Sequence, residues 1–292
     1  MDHQVTATFS THILIEAYDI SQPRVAVRTP IVDTGTMALI RCNFFSESLE
    51  LGTSMTVLLP QPGAAQIGVD GPQSDDPPPV LYLLHGLTDD DTAWIRYTSI
   101  ERYAAERGLA VVMPQVHRSF YADEAHGMRF WTFLSEELPR IIQSFFRIST
   151  RREDTFVAGL SMGGYGAMKW ALRQPERFAA AATLSGALDA AYIQEYDRRP
   201  HMRALTRRVF ADRVVKDTDE DLLHLLATAD KYRLPRLMLR CGTDDHLVAQ
   251  NERFVAACMA HGIPLEAEFG PGAHEWRYWD AQIQSVLDWL KP

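Results

Sequence analysis

The 292-residue sequence predicts an α/β fold, with a mostly parallel central sheet and helices on both of its faces. Two observations carry this prediction. From Val80 onward, apolar runs of strand length alternate with helix-like segments, which is typical of a parallel sheet that is covered on both sides. Hydrophobic residues make up 46% of the chain and aromatic residues 10%, so the chain can bury a sizeable core.

The elements follow in chain order. Residues 1–36 show no clear period and are interpreted as an N-terminal arm or extension ahead of a main domain at 37–292. Two strand-like runs, LIRCNFF and SMTVLLP, then predict an antiparallel start, and the Pro-, Gly- and Asp-rich residues 61–79 predict an exposed loop. Apolar runs predict six further strands, at 80–84, 109–114, 155–159, 179–185, 236–242 and 265–270. Helix-like patterns cover residues 131–146, 162–174, 250–262 and 274–290.

Residues 190–232 interrupt the alternation of strands and helices. Their sequence predicts short charged helices and no strand. Open parallel sheets bind ligands at the carboxyl ends of their strands, so this segment is either a small helical cap over that edge or a surface insertion.

Composition excludes several classes of function. The formal charge of −9 argues against a general nucleic-acid or membrane-surface binder. No stretch approaches the roughly 18 apolar residues of a membrane span, and the N-terminal residues lack the pattern of a secretory signal. Three scattered cysteines are too few for a disulfide framework or a zinc knuckle. We therefore expect a cytoplasmic protein with free thiols, without nucleic-acid or membrane partners.

One serine stands among glycines in VAGLSMGGYGAM, residues 157–168. Gly159 to Gly163 fit G-x-S-x-G, the nucleophile elbow of α/β hydrolases, in which a strand enters a sharp turn and a helix leaves it. A strained turn needs small neighbours, which accounts for Gly159 and Gly163. Ser161 is therefore a candidate nucleophile, and a purely structural Ser-Gly turn is the alternative.

An elbow serine needs an acid and a histidine that follow it in that order. Among ten histidines, His274 lies where the base is expected, in the loop between the last predicted strand and the last helix. His246 is its main rival, but it lies in the loop where the acid is expected. That loop offers Asp244 and Asp245 side by side, and the residues alone do not choose between them.

The reaction also needs two backbone N–H donors for a tetrahedral oxyanion. Met162 directly follows the serine and supplies one candidate. The strand VLYLL ends in His85-Gly86, and a turn there would direct the Leu87 amide inward as the second.

Several motifs together resemble the esterase D-like family of α/β hydrolases, over about residues 37–290. They are YLLHGLTDDDTAW, VVMPQVHRSFYAD, SEELP, RREDTFVAGLSMGGYGAMKWAL, PERFAAAATLSGALD, GTDDHL and GAHEWRYWD. The first of these motifs and GLSMGGYGA are most similar to tributyrin esterases within that family, which also includes S-formylglutathione hydrolases.

The resemblance implies an α/β-hydrolase fold and a carboxylesterase that works through an acyl-enzyme without a metal or another cofactor. It implies Ser161 as nucleophile, Asp245 as acid and His274 as base, with Leu87 and Met162 as oxyanion donors.

The expected function is hydrolysis of short-chain acyl esters, with a small-molecule ester as the partner. The rival activities are an S-formylglutathione thioesterase and a feruloyl or acetyl polysaccharide esterase. A pseudo-esterase that only binds is the non-enzyme alternative, although a binder has no need of all these groups. A homo-oligomer is compatible with the sequence.

Overall fold

The computed structural model describes residues 36–61 and 74–290. Residues 1–35 of the predicted arm and residues 62–73 of the predicted loop lie outside the described residues.

An eight-stranded sheet runs through the described chain in the order β1-β2-β4-β3-β5-β6-β7-β8. The two strands that open the sheet pair with each other antiparallel, with Thr36 opposite Gln61. β2 also pairs antiparallel with β4, and the pairs from β4 to β8 are all parallel. The antiparallel start and the parallel sheet predicted from the sequence are both confirmed. The strands span Thr36–Ser46 (β1), Leu51–Gln61 (β2), Val80–Leu84 (β3), Ala110–Pro114 (β4), Thr155–Leu160 (β5), Ala180–Leu184 (β6), Arg236–Gly242 (β7) and Glu266–Gly270 (β8).

Helices cover both faces of this sheet. Alternate residues of the buried strand β3 divide between two apolar clusters: Tyr82 joins one, while Leu81 and Leu83 join the other. The first cluster includes side chains of α4, α5, α8 and α9, and the second includes those of α1, α2 and α10. The helices span Ala93–Tyr97 (α1), Ile100–Ala105 (α2), Phe130–Thr132 (α3), Leu138–Phe145 (α4), Met162–Arg173 (α5), Ala190–Tyr196 (α6), Pro200–Phe210 (α7), Leu222–Thr228 (α8), Val248–Ala260 (α9) and Trp276–Leu290 (α10).

The structure differs from the sequence-based expectation in two places. Helices α1 and α2 were not predicted, because five or six residues are too few to display a helical period. The helix predicted at 131–146 is interrupted by a π-helical turn at Phe133–Glu137. Pro139 follows this turn and has no N–H to donate to the Ser135 carbonyl, so a regular α-helical hydrogen bond is missing there.

Glu137 fastens the first hairpin to this helical segment. Its carboxylate accepts hydrogen bonds from Ser46 Oγ at 2.7 Å, from the Glu47 N–H at 2.8 Å and from the Ser48 N–H at 2.9 Å. Burial alone would raise the pKa of Glu137, but hydrogen bonds from Ser48 and Ser46 hold it below its usual value. The ionised carboxylate therefore stabilises the turn between β1 and β2.

Residues 190–232 form α6, α7 and α8 and contain no strand, as the sequence predicts. Among the described residues, no helix is both long and apolar enough to cross a membrane.

Candidate active site

Ser161 occupies a strained turn between β5 and α5. Its backbone angles are φ 53° and ψ −118°, a region that residues other than glycine rarely adopt. The turn is held by its own backbone: the Ser161 N–H donates to Leu184 O at 2.9 Å, and the Ser161 carbonyl accepts from Tyr165 and Ala187.

Two glycines leave the space that this turn needs. A Cβ on Gly159 would overlap the backbone of Gly163, and a Cβ on Gly163 would overlap the carbonyl of Leu84 on β3. Any larger residue at either position would push α5 away from the sheet. The close approach therefore explains why the sequence flanks Ser161 with glycines.

Ser161 faces a histidine and a carboxylate. Its Oγ lies 3.0 Å from His274 Nε2. On the other side of the ring, His274 Nδ1 lies 2.9 Å from Asp245 Oδ2 and 3.1 Å from Oδ1. The three side chains come from the elbow, from the loop after β8 and from the loop after β7, and they form a continuous hydrogen-bonded chain.

The two loops that carry Asp245 and His274 are bound to each other. The Thr243 N–H donates to Gly270 O at 2.8 Å, and the Asp244 N–H donates to Gly272 O at 2.9 Å. The Asp244 side chain is exposed, whereas Asp245 is buried. The structure thus brings the second of the two adjacent aspartates to the histidine.

Hydrogen bonds around Asp245 stabilise its ionised form. Burial by itself would raise its pKa, but the hydrogen bond from His274 and that from the Leu247 N–H at 2.8 Å lower it below the usual value. An ionised Asp245 beside Nδ1 fixes the tautomer in which Nε2 is free to accept a proton from Ser161.

His246, the rival base, lies beside His274. The two ring centroids are 4.5 Å apart, and His246 Nδ1 is 3.7 Å from Asp245 Oδ1. Burial, followed by the charge of His274, lowers the pKa of His246. Asp245, His246 and His274 together form a group with the residue types and spacing of a metal site.

Leu87 and Met162 both lie on the wall of the pocket that contains Ser161. Met162 is the first residue of α5, and the first N–H groups of a helix have no partner within it. Leu87 lies inside a four-residue turn: the Asp89 N–H donates to Gly86 O at 3.3 Å, and the Gly86 N–H donates to Asp89 Oδ2 at 3.1 Å. Among the described residues, no protein acceptor takes the Leu87 N–H.

His85 supports this turn from behind. It is buried, its Nδ1 lies 2.8 Å from Gly86 O, and its Nε2 accepts from the Val116 N–H at 3.1 Å. These partners assign the proton to Nδ1, and burial lowers the pKa of the ring, so His85 is neutral. Tyr121 Oη donates to His85 O at 2.8 Å. The arrangement is that of a loop support, since His85 makes these contacts away from Ser161.

The pocket around Ser161 has a volume of about 720 Å³. Its wall includes aromatic and acidic residues that the sequence did not single out, namely Phe120, Tyr192, Tyr196, Trp276, Trp279 and Asp89. Asp89 lies in the motif YLLHGLTDDDTAW, two residues after Leu87. That proximity to a predicted oxyanion donor was the one sequence signal that could have identified Asp89 as a pocket residue. Tyr192 and Tyr196 lie one turn apart on α6, and Trp276 and Trp279 lie one turn apart on α10, but the sequence does not show that these helices face the same pocket.

The pocket mouth carries two arginines together with the carboxylates of Asp197 and Glu275. Arg198, Arg199 and His201 line the pocket and are exposed. Arg199 is paired with Asp197 at 2.6 Å, whereas Arg198 forms no ion pair with another described residue. α6 therefore contributes aromatic side chains to the pocket, and the short connection from α6 to α7 contributes the two arginines.

Comparison with known proteins identifies relatives over most of the chain. The Esterase family model, described as "Putative esterase", matches residues 46–290. An acetyl esterase of Caldicellulosiruptor saccharolyticus is 30% identical over 269 residues, which are 87% of this chain and 98% of that protein.

Solved structures give the same result. FphF, a fluorophosphonate-binding serine hydrolase of Staphylococcus aureus, is 34% identical with a TM-score of 0.78, over 87% of this chain and 98% of that one. An S-formylglutathione hydrolase of the same organism is 35% identical with a TM-score of 0.75, over the same shares. A ferulic acid esterase at 24% identity and a TM-score of 0.71, over 87% of this chain and 97% of that one, shares the fold.

The serine hydrolase fold and the match across most of the chain agree with the esterase D-like resemblance of the sequence. The chain therefore belongs to the Esterase family and is a carboxylic ester hydrolase of the serine type.

Proposed function

We propose that this esterase cleaves short-chain acyl esters, with Ser161 as nucleophile, His274 as general base and Asp245 as the group that orients the base. One observation carries the assignment: Ser161 Oγ, His274 Nε2, His274 Nδ1 and Asp245 Oδ2 follow one another at 3.0 and 2.9 Å. Nucleophile, base and orienting carboxylate in this order are the parts that acyl transfer requires.

In the first half of the reaction, Ser161 Oγ attacks the ester carbonyl and its proton passes to His274 Nε2. Asp245 stabilises the imidazolium that forms. The carbonyl oxygen becomes an oxyanion, which the N–H groups of Leu87 and Met162 stabilise. The tetrahedral intermediate collapses, the C–O bond to the alcohol breaks, and the alcohol takes the proton from His274.

In the second half, water attacks the acyl group on Ser161 and gives a proton to His274 Nε2. Collapse of the second tetrahedral intermediate breaks the bond to Ser161 Oγ, which recovers its proton from His274. The carboxylic acid leaves, and the enzyme returns to its starting state without a cofactor.

Small acyl groups are the proposed substrates for two reasons. The sequence motifs resemble those of tributyrin esterases, and one relative at 30% identity is named an acetyl esterase. The helices α6 and α7 would act as a small cap, because Tyr192, Tyr196 and Met202 narrow the pocket from that side.

A thioesterase acting on S-formylglutathione is the second candidate. It is favoured by the 35% identity to a protein of that name and by the exposed Arg198 on the pocket wall. Glutathione carries carboxylates, which the guanidinium of Arg198 would attract. The feruloyl alternative has less support, because the ferulic acid esterase at 24% identity shows the fold alone.

A substrate panel separates these candidates. The purified protein would be assayed on p-nitrophenyl acetate, butyrate and octanoate, on S-formylglutathione and on methyl ferulate, with Ser161→Ala as the blank. We expect acetate and butyrate to give the highest kcat/KM. A kcat/KM for S-formylglutathione at least a hundredfold above that for every oxygen ester would reject the carboxylesterase proposal in favour of the thioesterase.

The proposal extends to the location of the protein and to its domain organisation. Three free cysteines, two of them buried, suit a reducing compartment such as the cytoplasm. Residues 37–292 are proposed to be the hydrolase domain, with residues 1–36 as an appended arm.

A further inference from the structure

A second histidine lies against the acid and the base of the proposed triad. His246 follows Asp245 in the chain, and its Nδ1 is 3.7 Å from Asp245 Oδ1. More than half of the His246 side chain, 56%, is exposed, compared with 20% of His274 and none of Asp245. Three side chains of metal-ligating types therefore lie close together, and His246 is the one most accessible from the pocket.

The spacing of these groups is close to that of zinc ligands. Zinc binds histidine nitrogen and carboxylate oxygen at about 2.0–2.2 Å with tetrahedral geometry, so neighbouring ligand atoms stand about 3.3 Å apart. Asp245 Oδ1 lies 3.1 Å from His274 Nδ1 and 3.7 Å from His246 Nδ1. One ligand atom from each of the three residues falls within 4.8 Å of the other two. The His246 side chain is exposed, so its ring would be able to rotate toward a bound metal.

We propose that Asp245, His246 and His274 form an inhibitory site for a divalent transition metal such as Zn²⁺. Two imidazoles and one carboxylate suit Zn²⁺, Cu²⁺ or Ni²⁺, whereas Mg²⁺ and Ca²⁺ require oxygen ligands. The fourth position of the metal faces the pocket, where water can fill it.

Metal binding at this site would inhibit the reaction, because His274 could no longer act as the general base. This consequence rests on the proposed roles of Ser161 and His274. The metal sheds water and bonds to Nδ1 of His274, and the ring changes tautomer, so that the proton leaves Nδ1 and Nε2 gains one through solvent. Asp245 then binds the metal and no longer orients the ring. Because Nε2 already carries a proton, it cannot accept the proton of Ser161, so the loaded protein is inactive until a chelator removes the metal.

Calorimetric titration of the Ser161→Ala protein with zinc chloride tests the site without using activity. We expect one zinc per chain, and Mg²⁺ should give no binding heat. Adding His246→Asn should weaken zinc binding at least tenfold. Adding His201→Asn, a pocket histidine outside the cluster, should leave it unchanged. Equal zinc affinity with and without His246→Asn would overturn the proposal.

Inhibition of the Ser161 protein gives a second readout. The zinc concentration for half-inhibition, measured against each variant's own metal-free rate, should rise at least tenfold in His246→Asn and stay unchanged in His201→Asn. EDTA should restore the full rate. Zinc that binds through His246 without slowing the enzyme would overturn the inhibitory role. If Ser161→Ala retained activity, the catalytic assignment would be wrong. The zinc titration would still test the metal site, because it measures affinity and not activity.

Discussion

Asp245 Oδ2 lies 2.9 Å from His274 Nδ1, whereas the adjacent Asp244 points to solvent and contributes its backbone N–H to Gly272 O. The two aspartates are therefore separable by mutation. Asp245→Asn should reduce kcat by about a thousandfold or more with little change in KM, because it removes the charge that holds the tautomer and stabilises the imidazolium. Asp245→Asn and Asp244→Asn would be assayed on the same p-nitrophenyl ester at pH 7 to 8.

Asp244→Asn is the matched control and should stay within about tenfold of the unmodified enzyme. If Asp244→Asn were inactive and Asp245→Asn active, the acid of the triad would be Asp244 and not Asp245. Two active variants would place the acid elsewhere in the chain.

Asp89 is predicted to position the oxyanion donor of Leu87. Asp89→Ala removes the acceptor of the Gly86 N–H and loosens the turn, so we expect kcat to fall about ten- to a hundredfold with KM nearly unchanged. Asp89→Asn keeps a side-chain oxygen for that N–H and should recover most of the loss. Steady-state kinetics of the two variants provide the measurement.

Asp90→Asn serves as the control, because the Asp90 carboxylate bonds to Thr92 and not to Gly86. Equal damage in Asp89→Asn and Asp89→Ala would show that the charge of Asp89 matters and the turn does not.

Acyl chain length should affect the rate through the size of the pocket. We expect acetyl to butyryl esters to have a higher kcat/KM than octanoyl esters, because a methylene contributes about 0.8 kcal/mol only where it can be buried. The measurement is kcat/KM across a series of p-nitrophenyl esters. A value that keeps rising through C8 and C10 would reveal a deep acyl pocket and contradict the short-chain assignment.

Glu137 should contribute stability that depends on pH. Its pKa is lowered in the folded state, so its contribution is present above the unfolded value of about 4.3 and is lost as pH falls through the folded value. Glu137→Gln should therefore reduce the free energy of unfolding by about 2 kcal/mol at pH 7, and the difference should persist to about pH 4.3 and shrink at lower pH, as Glu137 becomes protonated in the folded state.

Urea unfolding from pH 7 to about pH 2.5 measures this difference across the range in which Glu137 is protonated. Glu136→Gln is the matched control, since Glu136 is exposed and should change stability by less than about 0.5 kcal/mol at either pH. A constant difference at all pH values would mean that the charge of Glu137 has no role in the hairpin.

The strands and the elbow were predictable because their signals are local. Apolar runs such as Val80–Leu84 coincide with β3, and the glycines around Ser161 report a close approach of backbones that the sequence itself encodes. The choice between Asp244 and Asp245 depends on which way a loop turns, and local pattern carries no information on that direction. The turn closed by Asp89 and the aromatic wall with Tyr192 depend on contacts between distant segments, so they emerged only from the structure.

The kcat of Ser161→Ala on p-nitrophenyl acetate tests the central claim most directly. The proposed acyl-enzyme forms on Ser161 Oγ, which the alanine variant lacks. The folded variant should therefore lose at least about a thousandfold in kcat. A fluorophosphonate reagent should add once to the unmodified chain, at Ser161, and leave the variant unlabelled. A folded Ser161→Ala protein with a kcat near that of the unmodified enzyme would contradict the whole mechanism.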